Sequence, residues 1–339
     1  MSDIRPFRGL RPRPDRAAEV AAPPYDTMDY DEAKRYAADR PNTFLRVEKS
    51  EIELPPDVDP LDPRIFEAGA RQLQRLLEEG AMIRDDRPCF YLYQQTMGDH
   101  AQAGLVAGTS VSEYQTDLIK KHEHTRADKE EERTRHVDAI GANTGPVFLT
   151  YHAREEIDRF IDGLRRRDPN VRFRADDGVE HVLWVVSEPG EVEEIRRLFG
   201  DIPHLYVADG HHRSAAASRV QQLRQERNPV HSGDEPYNYF LSVIFPHDQM
   251  LIMEYNRHVH DLNGLTESAL LDAVRESFEV EDADRARPPE AKRFGMFLGG
   301  TWYRLRAKPG SYPADDPVNS LDVAILQNNL LGPILGIGN

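Results

Sequence analysis

Cysteine is almost absent from this chain of 339 residues, in which Cys89 is the only one. No disulfide can form within the chain and no zinc site can be built from cysteines, because both need more than one. Cys89 lies in an apolar run, where a free cysteine behaves as a small buried hydrophobe. The N-terminus lacks the apolar core of a secretory signal, and no apolar run approaches the length of a membrane span. We therefore expect a cytoplasmic protein without a membrane partner.

Positive charge is also scarce, because the formal net charge at pH 7 is −16. This balance disfavours a nucleic-acid partner, although it allows a local positive pocket. Two common nucleotide-binding patterns are missing as well: no Gly-x-Gly-x-x-Gly follows a strand, and no Walker-type loop with Gly-Lys-Ser/Thr occurs. A nucleotide would therefore have to bind through a different phosphate-binding loop.

The most informative stretch of the sequence is Asp209-Gly210-His211-His212-Arg213-Ser214. The apolar run before it is typical of a buried strand, the alanines 215–217 indicate the start of a helix, and Gly210 supplies the turn. Backbone N–H groups and the positive end of the helix dipole meet two imidazoles and a guanidinium there. The pattern predicts a phosphate site, to which Gly210 allows close approach because it has no Cβ.

The segment 120–133 is the most highly charged part of the chain and contains His122-Glu123-His124. Its spacing does not match a metalloprotease helix, which needs two histidines four residues apart. Two interpretations stay open. The segment is either a solvated charged face or an active-site loop that supplies acid–base and phosphate-neutralising groups.

The N-terminal stretch Ala22-Pro23-Pro24-Tyr25-Asp26 is expected to be extended or turned, since each proline pushes its predecessor out of the helical region. It is either a stiff connector or a loop that carries Tyr25 and Asp26 into a site. His100, at the tip of an expected hairpin, fits a solvated position better than a catalytic one.

The pattern of apolar residues predicts an α+β protein with mixed sheets, hairpins and flanking helices rather than a regular doubly wound fold. Strands are predicted at 43–47, 90–95, 103–108, 147–151, 182–186, 204–208, 238–245, 250–256, 294–299 and 302–306. The strands 182–186, 204–208, 238–245 and 250–256 are expected to share one sheet with the 209–214 turn at its rim. Three parts are expected: an N-terminal α/β segment (1–86), a central domain with the motif (87–262) and a C-terminal α/β segment (263–339).

Several of these segments together resemble the family numbered 1015 among domains of unknown function. The resemblance rests on Asp209-Gly210-His211-His212-Arg213, on Ala22–Asp26, on His122-Glu123-x-Thr125 with Lys129 and Arg133, and on Asn238-Tyr239-Phe240 through Phe245–Asp248 with Tyr255-Asn256-Arg257. It spans nearly the whole chain. Family members usually continue past the helix at 321–326 into a further C-terminal segment, so either this sequence omits that segment or the protein lacks it.

The turn is also similar to that of the ParB-like superfamily, which includes kinases for free serine. Gly210, Arg213 and Ala216 match its pattern Gly-x-x-Arg-x-x-Ala. This resemblance implies a ParB-like nucleotide-binding core in which the turn binds nucleotide phosphates. It further implies a small-molecule kinase acting on free L-serine or a similar hydroxyl compound, with ATP or ADP as donor and Mg²⁺ as the metal.

Phosphoryl transfer needs charge neutralisation, a metal ion and an oriented hydroxyl nucleophile. Phosphate binding is assigned to Gly210, His211, His212, Arg213 and Ser214, with Arg126 and Lys129 screening the transferred group. The candidate catalytic residues are Glu123, Asp209 and His211. Either carboxylate could act as the base; we favour Glu123 and leave Asp209 for the metal.

Three other functions stay open at this stage. A ParB-like regulator would bind and slowly hydrolyse nucleotide. A metal-dependent hydrolase would use His122, His124, His211 and His212 as ligands of a transition metal. A structural protein could retain a relict site. The sequence also leaves open the donor, the acceptor and the oligomeric state, with a homodimer as one option.

Overall fold

The computed structural model describes residues 2–284, 288 and 290–338. The chain divides into two compact units, Met1–Ile252 and Met253–Asn339. The predicted boundary near residue 86 falls inside the first unit, where residues 4–5 pair with the strand at 100–110 and Phe7 bridges to Cys89. Cys89 itself is buried and free, as expected.

The first unit contains eleven strands and nine α-helices among its described residues. The strands are β1 (Ile4–Arg5), β2 (Leu10–Pro12), β3 (Met82–Arg84), β4 (Phe90–Met97), β5 (His100–Ser110), β6 (Ile119–Lys120), β7 (Val147–Tyr151), β8 (Val171–Arg174), β9 (Glu180–Val186), β10 (Leu205–Asp209) and β11 (Tyr239–Pro246). The helices are α1 (Ala17–Val20), α2 (Tyr30–Ala37), α3 (Leu45–Glu48), α4 (Pro63–Glu78), α5 (Val111–Gln115), α6 (Ala127–Ile140), α7 (Glu155–Arg165), α8 (Pro189–Gly200) and α9 (His211–Glu226). Short 3₁₀ turns, including Tyr25–Thr27 and His247–Gln249, connect some of them.

Nine of these strands form one mixed sheet, in the order β6-β10-β7-β11-β5-β4-β9-β8, with β1 paired to β5. The pairs β6–β10 and β7–β11 are parallel, and the other pairs are antiparallel. The hairpin of β4 and β5 lies where the sequence predicts it. The α+β class with mixed sheets is confirmed.

The main core lies between this sheet and helices that pack on it. Leu92, Leu149 and Leu205 of the strands are fully buried together with Ile157 of α7 and Ile195 of α8. Local sequence explains where such helices begin. In α4, for example, the Asp62 side chain accepts a hydrogen bond from the backbone N–H of Arg64 and Pro63 occupies the first turn, both of which favour a helix start.

Three of the four strands that were expected to share a sheet do so, as β9, β10 and β11, but the strand predicted at 250–256 is wrong. Residues 250–259 have no regular secondary structure. β11 already pairs with β5 along one edge and with β7 along the other, so no edge is left for a following hairpin strand.

The strand predicted at 43–47 is also wrong, because Leu45–Glu48 is the short helix α3. Leu45 and Val47 are both fully buried, each in a different apolar cluster. Tertiary packing has overridden the strand preference of the local sequence.

The second unit has its own sheet and core. Its strands β12 (Phe278–Ala283), β13 (Arg293–Leu298) and β14 (Thr301–Ala307) are antiparallel, with β14 in the middle. Its helices are α10 (Glu267–Ser277) and α11 (Asp322–Leu326), and α11 continues as a π-helical turn over Gln327–Leu331. Val274, Phe278 and Leu305 lie at the centre of its core.

Among the residues that the structure describes, no helix combines the length and the apolar composition needed to cross a membrane.

The close packing of β5 gives a test of the fold. A Cβ at Gly104 would lie 2.8 Å from the ring of Phe245, which is fully buried. Gly104→Ala should therefore lower the free energy of unfolding by roughly 1–3 kcal/mol through overpacking. Urea unfolding measures this loss. Gly163 on α7 has open space around its Cβ position, so Gly163→Ala is the matched control and should stabilise by roughly 0.5–1 kcal/mol. Equal behaviour of the two variants would contradict the packing described.

Candidate functional site

The turn between β10 and α9 has the form that the sequence predicts. Gly210 adopts a left-handed conformation with φ 94°, and an added Cβ would also meet the Val147 backbone at 3.4 Å. The backbone N–H of Ser214 donates to the Gly210 carbonyl oxygen at 3.0 Å. No side chain of the described residues caps α9. The amides of its first turn are therefore left for an external acceptor.

His211 is buried directly beneath this turn, with only 4% of its surface exposed. Its Nδ1 lies 3.5 Å from Glu123 Oε2, and its ring meets the ring of His122 edge-on at 4.4 Å. Its Nε2 has no hydrogen-bond partner in the described part of the protein. Burial, with His122 beside it, lowers the pKa of His211. The imidazole is therefore neutral near pH 7.

His212 joins the turn to the charged segment in a second place. The backbone N–H of Arg126 donates to His212 Nε2 at 3.1 Å, so a neutral His212 carries its proton on Nδ1. Together with the contact of His211 and Glu123, this bond brings the segment 120–133 against the 209–213 turn.

The basic side chains of that segment have other partners. Arg126 forms an ion pair with Asp128 at 2.8 Å, and Lys129 forms one with Glu132 at 3.0 Å. In the charged segment, Glu123 and His122 therefore face the turn, whereas Arg126 and Lys129 belong to solvated ion pairs.

Ser214 and Asp209 lie in opposite environments. Ser214 is fully buried, and its hydroxyl donates to the Gly210 carbonyl oxygen at 3.0 Å. The structure therefore directs this hydroxyl into the helix and not toward a ligand. The Asp209 side chain is 73% exposed, and its Oδ2 lies 3.6 Å from Arg213 Nη1.

Arg213 is fixed from several directions at the mouth of the turn. Its Nη1 donates to the Pro146 carbonyl oxygen at 3.2 Å, and its Nη2 lies 3.9 Å from Asp26 Oδ2. Its guanidinium also lies over the ring of Tyr25, 5.4 Å from the ring centre. The proline-rich N-terminal segment thus carries Tyr25 and Asp26 to the motif.

A second guanidinium lies near the same tyrosine ring. Arg133 of α6 is 4.2 Å from the ring centre of Tyr25, and only 8% of its surface is exposed. Its guanidinium forms ion pairs with Glu132 and, at 3.5 Å, with Glu48. Burial raises the pKa of Tyr25, so the phenol stays protonated.

A small recess lies beside Arg213. Its lining residues are Glu48, Arg133, His136, Val137, Asn143, Thr144, Gly145, Val147, Arg213 and Leu241. Glu48 Oε1 is buried without a hydrogen-bond partner among the described residues. Sequence reasoning missed Glu48 and His136, because neither stands in a pattern that indicates a buried polar residue.

No group of three or more His, Cys, Asp or Glu side chains is arranged to hold a metal ion anywhere in the described ranges. His122 and His211 lie together, whereas His212 faces the backbone of Arg126.

The buried imidazole of His136 gives this region a measurable pH dependence. Burial, reinforced by the nearby Arg133 guanidinium, lowers the pKa of His136 from 6.5 to about 3. The unfolded chain therefore binds a proton that the folded chain does not, and the stability contributed by neutral His136 is lost as the pH falls below about 6.5. Between pH 7 and pH 5 this residue should cost about 2 kcal/mol of unfolding free energy.

Urea unfolding of the protein and of His136→Gln at both pH values measures this effect. Glutamine keeps an amide that can reach Thr144, the present partner of His136 Nε2 at 3.2 Å, but it does not titrate. The variant should lose less stability than the parent over this pH range. Equal losses would show that His136 takes up its proton normally in the folded protein.

Comparison with known proteins identifies the family of the chain. No curated protein and no solved structure matches the chain. The sequence profile of the family described as "Protein of unknown function (DUF1015)" matches residues 4–324, a span that includes the turn, the charged segment, Tyr25 and Glu48. The resemblance to the family numbered 1015 is thereby confirmed, and the chain belongs to the DUF1015 family.

Proposed function

We propose that the protein is a nucleotide-dependent phosphotransferase, a small-molecule kinase that phosphorylates free L-serine or a similar hydroxyl compound. One observation carries the proposal. The Gly210 turn opens the N-terminus of a 16-residue helix beside Arg213, and the carboxylate of Glu123 lies against the same turn. An anion site next to a candidate base is what transfer of a phosphoryl group to a hydroxyl requires. The similarity of Gly210, Arg213 and Ala216 to the ParB-like pattern adds support.

The phosphates of the nucleotide would bind at the start of α9. The first-turn amides donate to phosphate oxygens, and the dipole of the long helix favours the negative charge. Arg213 adds charge-assisted hydrogen bonds from a guanidinium whose position is already fixed by Pro146 and Tyr25. Arg126 and Lys129 are engaged with Asp128 and Glu132, so we assign the main phosphate contact to Arg213.

Glu123 would accept the proton of the attacking hydroxyl. We assign the proton of neutral His211 to Nδ1, because this nitrogen faces a carboxylate that can only accept. This N–H, 3.5 Å from Glu123 Oε2, would orient one oxygen of Glu123 and leave the other oxygen for the acceptor hydroxyl. His211 is then a positioning residue that acts through Glu123.

Asp209 would hold Mg²⁺. Its carboxylate is exposed at the mouth of the turn, which suits an ion that keeps several waters and takes only one or two protein carboxylates besides phosphate. When bound, Mg²⁺ supplies neutralisation of the charge on the transferred phosphoryl group.

The recess beside Arg213 would hold the acceptor. Charged and polar side chains line it, which suits a polar group of a small acceptor. The unpaired oxygen of Glu48 can accept hydrogen bonds from an ammonium group, while Arg133 and Arg213 can face a carboxylate. These features support a small hydroxy amino acid such as serine as the acceptor.

The test is a reaction of the purified protein with Mg²⁺, serine, and ATP or ADP, followed by mass spectrometry of the small molecules. Formation of phosphorylated serine supports the proposal, and a panel of other small alcohols separates serine from related acceptors. Nucleotide hydrolysis without a phosphorylated acceptor would support the ParB-like regulator instead.

Substitution of Arg213 should weaken nucleotide binding in a graded way. Arg213→Ala removes a charge-assisted contact worth roughly 1.5–3 kcal/mol, which is about one to two orders of magnitude in Kd. Arg213→Lys should be less harmful but still weaker than the parent, because an ammonium cannot bind two oxygens as a guanidinium does. Calorimetric titration with nucleotide measures both. Arg219→Ala, on the same helix and paired with Glu131, is the control; full affinity in Arg213→Ala would remove the turn from the phosphate site.

Substitution of Glu123 and substitution of Asp209 should affect the kinetics in different ways. Glu123→Gln should lower turnover by about 10²–10⁴-fold with little change in nucleotide affinity, because it removes only the proton acceptor. Asp209→Asn should also lower turnover, but added Mg²⁺ should restore part of it. Steady-state kinetics at several Mg²⁺ concentrations distinguish the two, after circular dichroism confirms folding. Retained turnover in Glu123→Gln, with a Mg²⁺-independent loss in Asp209→Asn, would make Asp209 the base.

A further inference from the structure

We propose that the first unit has a second anion-binding site, specific for phosphate-bearing small molecules, at a cleft that we call the arginine cleft. Its volume is about 370 Å³, and its lining residues are Gln94, Asp162, Arg165, Arg166, Arg172 and Trp184. It shares no residue with the turn, the charged segment or the recess beside Arg213. Its strands β8 and β9 lie at the far end of the sheet order from β10.

The cleft is built on regular structure. Gln94 of β4 and Arg172 of β8 both pair with Val182 of β9, so their side chains lie on one face of the sheet. Trp184 follows two residues after Val182 and points to the same face. The last turn of α7 brings Arg165 onto this face from above, and Arg166 follows directly.

The local charge is opposite to that of the whole chain. Residues 165–174 contain five arginines and one aspartate, in a protein whose net charge is −16. The high net negative charge of the chain already favours solubility, so this arginine cluster is not needed for that purpose. Like charges that lie close together also repel one another and destabilise the fold. Asp162 and Glu180 offset part of this charge, and a bound anion would offset the rest.

The three guanidinium groups of the cleft are only partly satisfied. Arg165 is held in place by Gln94 Oε1 at 2.9 Å and by Asp162 at 3.1 Å. Arg172 lies 3.6 Å from Glu180. Arg166 is exposed, and its side chain has no ion pair or hydrogen bond within the described residues. The cleft is therefore lined by one guanidinium group that is held in place, that of Arg165, and by two with few or no partners, those of Arg166 and Arg172.

The floor of the cleft is held rigid by the indole of Trp184. Its Nε1 donates to the carbonyl oxygen of Arg167 at 3.0 Å, which ties the segment after α7 to the centre of β9. The arginines are thus presented from a fixed frame. Preorganisation of this kind reduces the entropy lost when a ligand binds.

The arrangement favours phosphate over a single carboxylate. A phosphate group offers several oxygens and up to two negative charges, which can engage more than one guanidinium fork at once. One carboxylate offers two oxygens and one charge, and Asp162 already supplies such a group. Inorganic pyrophosphate, a nucleotide and a phosphorylated metabolite share the required chemistry.

The experiment uses the full chain carrying Arg213→Ala, in which the α9 turn is weakened as a phosphate site. Calorimetric titration with inorganic pyrophosphate, inorganic phosphate and ATP separates the ligand sources, and citrate serves as the carboxylate probe. We expect pyrophosphate to bind, and binding to weaken as sodium chloride is raised. Addition of Arg166→Ala and Arg172→Ala should raise the Kd at least about tenfold.

The control is Arg159→Ala, which removes an exposed arginine from α7 outside the cleft. It should leave the Kd unchanged. Because Arg166 and Arg172 are exposed, the double variant should retain the melting temperature of its parent. Absence of pyrophosphate binding in the Arg213→Ala protein, or binding that survives loss of both cleft arginines, overturns the proposal. Neither result bears on kinase activity, which is measured separately by the phosphorylated acceptor.

Discussion

A buried guanidinium must be surrounded by groups that compensate its charge, and Arg133 imposes this constraint on the first unit. The compensating groups come from separate segments: Glu48 from α3, Glu132 from α6, and the ring of Tyr25 from the N-terminal turn. Because Tyr25 also lies under Arg213, the same arrangement positions the cation of the Asp-Gly-His-His-Arg motif. The geometry of the mouth of α9 therefore depends on a charge buried in a different helix.

The site has a charged opening and an uncharged, buried interior. Asp209 and Arg213 lie at the opening, whereas His211 and His136 are buried with lowered pKa values. A histidine that stays neutral at physiological pH can donate from one nitrogen and accept at the other, and it adds no positive charge to compete with Arg213. In the proposed function, this division would place charge where the ligand enters and directional hydrogen bonds where its reacting group is oriented.

Part of the fold and of the candidate site could be predicted from local signals in the sequence. The turn at Gly210 was predictable because an apolar run, a glycine and an alanine-rich segment lie next to one another in the chain. The strand expected at 250–256 was wrong because pairing depends on whether a neighbouring edge is free, and β5 and β7 occupy both edges of β11. Glu48 was missed for a similar reason: its burial follows from Arg133, which is distant in sequence.

The contact of Tyr25 with Arg213 has a consequence for the order of folding. The two residues lie near opposite ends of the first unit, and contacts between distant residues form only after the intervening chain has been ordered. The nascent chain must therefore be complete beyond α9 before the mouth of the site can close around its arginine. A ligand that binds at this mouth would then stabilise the fully folded first unit relative to partly folded forms of it.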